Sequence, residues 1–141
     1  MWVQCNNFKN RTVSVTCSIG EVPFLMGGFR GFLIGLTLNN KFYEFTTINR
    51  SKLNIVKKEQ DIHIKVSNLV NTLVIDIESP KDKFAICNGP RDNKMIPLVK
   101  ENLSSKVKIQ LKRNKDNKIL YCDEGICGGV EYGGKIMNML G

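Results

Sequence analysis

The sequence predicts an all-β protein built from antiparallel strands. Apolar residues occupy every second position in several stretches, which places one face of each strand in a core and the other in solvent. Residues that favour turns separate these stretches roughly every 8–12 residues, a spacing typical of an antiparallel barrel or sandwich of about nine or ten short strands. The clearest alternation lies in four segments, Thr12–Ile19, Asp61–Val66, Leu73–Glu78 and Lys106–Lys112.

The segment Phe29–Leu38 differs from the other predicted strands because it is apolar on both faces. Asn39 and Asn40 separate it from Lys41–Ile48, and asparagine tolerates the positive φ of a tight hairpin. A strand that is apolar on both faces is either covered on both sides or lines an apolar cavity. Since the chain offers little that would form a second layer, either a barrel encloses an apolar space or another chain covers this strand.

One stretch predicts a helix rather than a strand. Met95, Leu98, Val99 and Leu103 recur at helical spacing, and Pro97 fits the first turn of a helix. We therefore expect one short helix in an otherwise all-β chain. No internal repeat, low-complexity tract or linker interrupts the sequence, so residues 1–141 are expected to form a single domain.

Composition and charge exclude several classes of protein. Lys and Arg number 21 against 13 Asp and Glu, which gives a formal charge of +8, and 42% of the residues are hydrophobic. Such a chain is too apolar to be disordered, and its longest apolar stretch is far shorter than a membrane-spanning helix. The opening residues have neither the basic start nor the apolar core of a secretory signal, so a cytoplasmic location is expected.

The cysteines and the histidine do not indicate a metal site. Five cysteines occur at irregular spacings without a C-x-x-C pair, and His63 is the only histidine. A zinc site needs four converging ligands, so neither a metal nor a disulfide framework is expected. Glycines cluster near the end of the chain without the following helix that a phosphate-binding loop needs, so barrel curvature or close approach of strands explains them better.

Four motifs, taken in order, resemble the tocopherol cyclase family. Residues Trp2–Phe8 read W-V-Q-C-N-N-F and resemble its W-[VI]-Q-C-N-x-F stretch. Lys41–Phe45 resembles its G-K-x-Y-x-F strand, and Lys100–Leu103 falls where bacterial-type members carry E-S-L at a helix end. Gly129–Gly134 is similar to the closing G-[VL]-E-[VI]-G-G. The chain thus resembles the C-terminal half of a bacterial-type member.

The resemblance implies a lipocalin-like antiparallel β-barrel or half-barrel that holds a prenylated, largely apolar molecule. The reaction it implies is ring closure, which needs no metal or redox cofactor. A proton adds to the double bond nearest the aromatic head, and a phenolic oxygen captures the resulting cation to form a chromanol. This chemistry requires a carboxylic acid that apolar surroundings keep protonated, and a dry cavity that stabilises the cation.

Two glutamates are the candidate catalytic acids under this resemblance. Glu44 shares a strand face with Phe42 and Thr46, so it is desolvated if the cavity lies on that face and is an exposed strand residue otherwise. Glu131, on the last strand, is the second candidate, with an ordinary surface position as its alternative. Ligand contacts are expected from aromatic and amide side chains, whose alternatives are the core or the wet exterior: Trp2, Tyr43, Phe45, Tyr132, Gln4 and Asn6.

Three functions compete at this point: an intramolecular cyclase, a binding or carrier domain for a lipophilic molecule, and a basic barrel that binds nucleic acid. Lys106, Lys108 and Lys112 lie on one strand face, but no aromatic residue accompanies them, so nucleic acid is not the expected partner. The positive charge suits weak attraction to anionic lipid surfaces. Exposed strand edges predict a homo-oligomer, or association with a separate N-terminal half.

Overall fold

The computed structural model describes residues 1–133, which form one antiparallel sheet of ten strands. The all-β prediction is therefore confirmed. In chain order the strands are β1 (Trp2–Cys5), β2 (Ser14–Phe24), β3 (Gly27–Leu38), β4 (Lys41–Thr46), β5 (Lys52–Lys58), β6 (Asp61–Ser67), β7 (Asn71–Glu78), β8 (Ala85–Arg91), β9 (Lys94–Arg113) and β10 (Ile119–Gly133).

The main strand order ends at two open edges, β4 and β5, and β8 is a third edge strand because β9 is its one partner among the described residues. The strands lie in the order β4-β3-β2-β1-β10-β9-β7-β6-β5, and β8 pairs with the first half of β9. A turn joins β4 to β5 at one corner, where the Ser51 amide donates to the Thr46 carbonyl at 3.1 Å. Within residues 1–133 no ladder pairs β4 with β5, so the sheet is not closed into a barrel.

The hairpin predicted at Asn39 and Asn40 is confirmed. The two residues connect β3 to β4 with φ values of 49° and 62°. Asparagine adopts this left-handed conformation at lower cost than most residues. The four segments with the clearest alternation also lie wholly or mainly in strands, namely β2, β6, β7 and β9.

Inward-facing side chains from both halves of the curled sheet form one packed core. Ile34 of β3, Phe45 of β4 and Ile64 of β6 have no exposed surface and belong to the same cluster. Gly125 of β10 lies against this cluster, since a Cβ there would sit 2.6 Å from the Cys5 sulfur. Close packing therefore explains this glycine, as the sequence predicted for the cluster.

The helix predicted around Pro97 is wrong. The residues that suggested it lie instead in the strand β9: Met95, Leu98, Val99 and Leu103. The reason is that β8 pairs with the first half of β9 and supplies a ladder that local spacing does not reveal. Pro97 lies beside a register shift in that ladder, a usual place for proline in a sheet. Among the described residues, helical structure is limited to a 3-10 turn at Lys81–Lys83.

Candidate functional site

An apolar groove of about 580 Å³ lies on the outer face of the sheet, where β4 ends and β2 and β3 continue beyond it. This volume falls within the range of small-molecule sites, roughly 300–1,000 Å³. The apolar space expected inside a barrel is thus an open groove on the face opposite the core. The groove is lined mainly by β2, β3, β4 and the turn after β4: Ser18, Gly20, Val22, Phe29, Gly31, Phe32, Leu33, Glu44, Thr46, Thr47, Ile48 and Asn49.

Strand β3 contributes to both the core and the groove. Ile34 and Leu36 point inward and are fully buried. Phe29 and Leu33 point outward and form part of the groove wall, with 44% and 48% of their surfaces exposed. The apolar character of Phe29–Leu38 on both faces therefore has a structural explanation, because each face meets a different apolar environment.

Two glycines that pair across β2 and β3 form the floor of the groove. Gly20 lies directly opposite Gly31, and a Cβ built on Gly20 would meet no atom within 4 Å. At Gly31 a Cβ would lie 2.8 Å from the Val22 side chain. The missing side chains keep the floor low, whereas Val22, Phe29 and Leu33 rise beside it as walls.

The turn after β4 forms the polar rim of the groove. The Asn49 side-chain oxygen accepts from the Thr46 amide at 3.0 Å, and the Thr46 hydroxyl accepts from the Asn49 amide at 3.1 Å. Thr47 binds β3 twice, since its hydroxyl accepts from the Phe32 amide at 2.9 Å and its amide donates to the Phe32 carbonyl at 3.2 Å. These bonds fix the turn, which holds Ile48 at the rim with 94% of its surface exposed.

Glu44 is the single charged side chain among the described residues that line the groove. It shares the outer face of β4 with Phe42 and Thr46, as predicted, and it is exposed. Its backbone carbonyl accepts from the side-chain amides of Asn49 at 3.2 Å and Asn68 at 3.3 Å. No residue in 1–133 pairs with its carboxylate, which is therefore free to meet a ligand.

Four other predicted site residues lie toward the outer face but outside the groove lining. Trp2 is half-buried and pairs with Glu131, so β2 and β3 separate both residues from β4. Gln4 and Asn6 are exposed. Glu131 lies directly opposite Glu101 of β9, and both side chains are half-exposed.

The remaining predicted residues are on the inner face. Phe45 has no exposed surface, and Tyr43 packs against the core. Tyr132 is 3% exposed and stacks on Phe84 with ring centroids 5.8 Å apart. Its buried hydroxyl has no hydrogen-bond partner in the described part of the chain, and burial raises its pKa to about 12. Among these residues 1–133, Glu44 alone of the predicted set is part of the groove lining.

Two of the three lysines on this face of β9, Lys106 and Lys108, contact carboxylates, and Lys112 donates to the Asn117 side-chain oxygen at 3.1 Å. Lys108 donates to Glu78, and both Lys106 and Lys108 lie within 4.0 Å of Glu124. Across the described residues, no three His, Cys, Asp or Glu side chains converge as metal ligands. No helix in that range has the length and apolar character needed to cross a bilayer.

The amino-acid sequence matches the family model of tocopherol cyclase-like proteins over residues 1–134. The chain belongs to the tocopherol cyclase-like family. No curated protein and no solved structure gave a significant match. The family match thus covers the whole sheet and extends to Gly134, the last residue of the closing motif, which lies outside the described residues.

The tocopherol cyclase-like motifs surround the groove only in part. Lys41–Phe45 forms most of β4 and places Glu44 at the groove, whereas Trp2–Phe8 contains β1 and lies beside β10. The floor and walls come from Gly20–Leu33, which no motif singled out. The signal that could have found them is the row of glycines and apolar residues on the outer face of the β2–β3 hairpin.

Proposed function

We propose that this tocopherol cyclase-like protein binds an apolar small molecule in the groove beside β3 and β4. The observation that carries the proposal is the Gly20–Gly31 floor between apolar walls, with the Glu44 carboxylate, which no residue in 1–133 pairs with, beside it. Ligand sites commonly combine such an apolar lining with a few polar groups that set orientation. Membership of the family supports a prenylated molecule as the ligand class.

The polar groups lie at one end of the groove and suit a ligand with one polar head. Glu44, Thr46 and Thr47 lie on β4 and the turn that follows it, and Ser18 lies on β2. Val22 and Phe29 lie farther along the β2–β3 hairpin. A phenolic head would therefore bind near Glu44, and the prenyl chain would extend over the glycine floor toward Phe29.

A second candidate function is ring closure at the same place, and the position of Glu44 supports it. The protonated carboxyl would add its proton to the double bond nearest the aromatic head. The phenolic oxygen would then capture the tertiary cation and lose its own proton, which returns to the carboxylate. The reaction is an isomerisation and consumes no co-reactant. The resemblance also implies a lipocalin-like half-barrel. In this proposal the half-barrel is an open sheet that binds the ligand on its outer face.

Ligand binding is tested with a substitution that fills the floor of the groove. Gly20→Leu adds a side chain where a Cβ meets no atom within 4 Å, so the strand tolerates it while the groove is blocked. Gly27→Leu is the matched control, because Gly27 has equal free space but does not line the groove. With the neutral fluorophore N-phenyl-1-naphthylamine and with a prenylated hydroquinone, Gly20→Leu should weaken binding at least tenfold and Gly27→Leu should not.

Equal binding by the Gly20→Leu variant and the unmodified chain would place the ligand elsewhere and refute the groove. Catalysis is tested separately by incubating the chain with a prenylated hydroquinone and assaying the chromanol. Glu44→Gln should abolish the product while keeping the affinity. Binding without any chromanol from the unmodified chain supports the carrier function and removes the cyclase.

A further inference from the structure

The tip of the β2–β3 hairpin presents large apolar side chains to solvent. Leu25 and Met26 form the turn and are 91% and 105% exposed, and Phe24 is 62% exposed. Phe24 packs edge-on against Phe29 across the hairpin with ring centroids 6.3 Å apart. Turn tips of soluble domains usually carry glycine, asparagine, aspartate or serine instead. An apolar tip of this kind indicates a surface that leaves water when it meets its partner.

The shape of the tip favours a deformable partner. In the described chain, β2 is bonded to the start of the chain as far as Ile19, whose amide donates to the Met1 carbonyl and whose carbonyl accepts from the Met1 terminal amine. Phe24 lies five residues farther on, roughly 17 Å at the usual rise of an extended strand. Within residues 1–133, β3 alone pairs with β2 beyond Ile19, so the described tip is a narrow two-stranded wedge. A wedge buries its whole apolar surface when it enters a fluid layer, whereas a flat protein surface covers only one side of it.

Positive charge lies at the same end of the sheet. The registers of β1, β2, β9 and β10 show that the β8–β9 hairpin projects in the same direction as the β2–β3 hairpin. Its exposed cations are Arg91 and Lys94 at the turn and Lys100 farther back; its carboxylates are Asp92 at the turn and the half-exposed Glu101 beside Lys100. On the apolar hairpin itself, Glu21 and Arg30 lie 3.9 Å apart. The whole chain carries a formal charge of +8.

We propose that the β2–β3 tip inserts into the interface of an anionic lipid bilayer, with the β8–β9 hairpin resting on the acidic headgroups. Apolar side chains that reach the headgroup–acyl boundary, combined with nearby basic residues, are the two signals that peripheral membrane binding requires. The inference goes beyond the proposed function, because it does not require a ligand in the groove.

The groove is continuous with the hairpin that we propose binds the membrane. Val22 and Phe29 belong to the projecting hairpin and also line the groove. An apolar track thus runs along the outer face of the hairpin from Phe24 at the tip to the glycine floor. A lipophilic molecule that leaves the bilayer along this track would stay in contact with apolar side chains as far as the glycine floor beside Glu44.

The test uses the full chain and ligand-free vesicles, so its outcome is independent of the groove. Flotation is measured with neutral phosphatidylcholine vesicles and with vesicles containing phosphatidylserine. The tip variant is Leu25→Asn combined with Met26→Asn, since asparagine suits the positive φ of 51° at position 25. The matched control is Leu69→Asn, which removes an apolar side chain that is 99% exposed in the β6–β7 turn.

The unmodified chain should float with the anionic vesicles, and the tip variant should bind at least tenfold more weakly, while Leu69→Asn binds normally. Arg91→Glu with Lys94→Glu should remove the preference for anionic lipid. Brominated acyl chains should quench the fluorescence that Leu25→Trp adds and leave unchanged the fluorescence that Leu69→Trp adds. Absence of flotation, or flotation that the tip variant leaves unchanged, overturns the proposal. Tip-dependent dimers that ignore vesicles would also overturn it and assign the tip to a second copy.

Discussion

Replacing Asn102 with alanine is expected to lower the free energy of unfolding by about 3 kcal/mol. Asn102 is fully buried where β9 changes its partner from β8 to β7. Its side-chain oxygen accepts from the Ser104 amide at 2.8 Å and from the Ser105 hydroxyl at 3.2 Å. Its amide group donates to the Pro80 carbonyl at 3.0 Å. One side chain thus ties the connection between β7 and β8 to β9.

The magnitude follows from three hydrogen bonds lost together, each contributing about 1 kcal/mol net. Ser105 is also fully buried, but its hydroxyl keeps a second partner in Ser79 at 2.8 Å, so it is not left unsatisfied. The expected loss therefore stays near the simple sum. For a chain of this size it corresponds to a fall in melting temperature of roughly 10 °C.

Urea unfolding followed by circular dichroism measures the effect. Ser104→Ala is the matched control, because Ser104 lies in the same irregular stretch of β9 but is exposed, and its change should stay within about 0.5 kcal/mol. If Asn102→Ala costs less than about 1 kcal/mol, or no more than Ser104→Ala, the side chain does not hold the two segments together and the reasoning is refuted.

Two further predictions concern titratable groups. In the native chain, N-ethylmaleimide should modify the exposed Cys122 and Cys127 quickly and leave Cys17 intact, because burial raises the pKa of the Cys17 thiol to about 12. Peptide mass mapping measures the rates, and a Cys17 that reacts as fast as the exposed pair would contradict the prediction. The hydrogen bond from Lys108 lowers the pKa of Glu78, so the pair stabilises the fold at neutral pH and loses this contribution as pH falls through the lowered value. Carboxyl NMR titration should show a higher Glu78 pKa in Lys108→Met, and an unchanged value would count against the pairing.

Local sequence predicted the strands well because alternation and turn chemistry are local signals. Asn39 and Asn40 marked a hairpin whose positive φ angles the structure shows. The segment around Pro97 failed because a short apolar run fits both a helix and a strand. The ladder with β8 decided between them, and this pairing joins residues through a turn that the sequence pattern did not reveal.

The groove could be anticipated only in outline. Apolar residues on both faces of Phe29–Leu38 indicated an apolar space beside this strand. They could not say on which face it lies, because that depends on which strands surround β3 and where β4 ends. The pairing of Gly20 with Gly31, which shapes the floor, likewise follows from the register of β2 with β3. The sequence also did not predict that a sheet with open edges would have a packed core on its inner face.

The surroundings of the two candidate acids decide which of them suits an apolar ligand. Glu131 lies directly opposite Glu101, so an apolar molecule covering it would also desolvate a second carboxylate, which is costly. Glu44 is the single charged side chain among the described lining of the groove, next to Thr46 and facing the Gly35 position across the strands. A bound prenyl chain would exclude water from Glu44 alone and thereby favour its neutral, proton-donating form. In the proposed reaction, binding of the prenyl chain must therefore precede proton transfer.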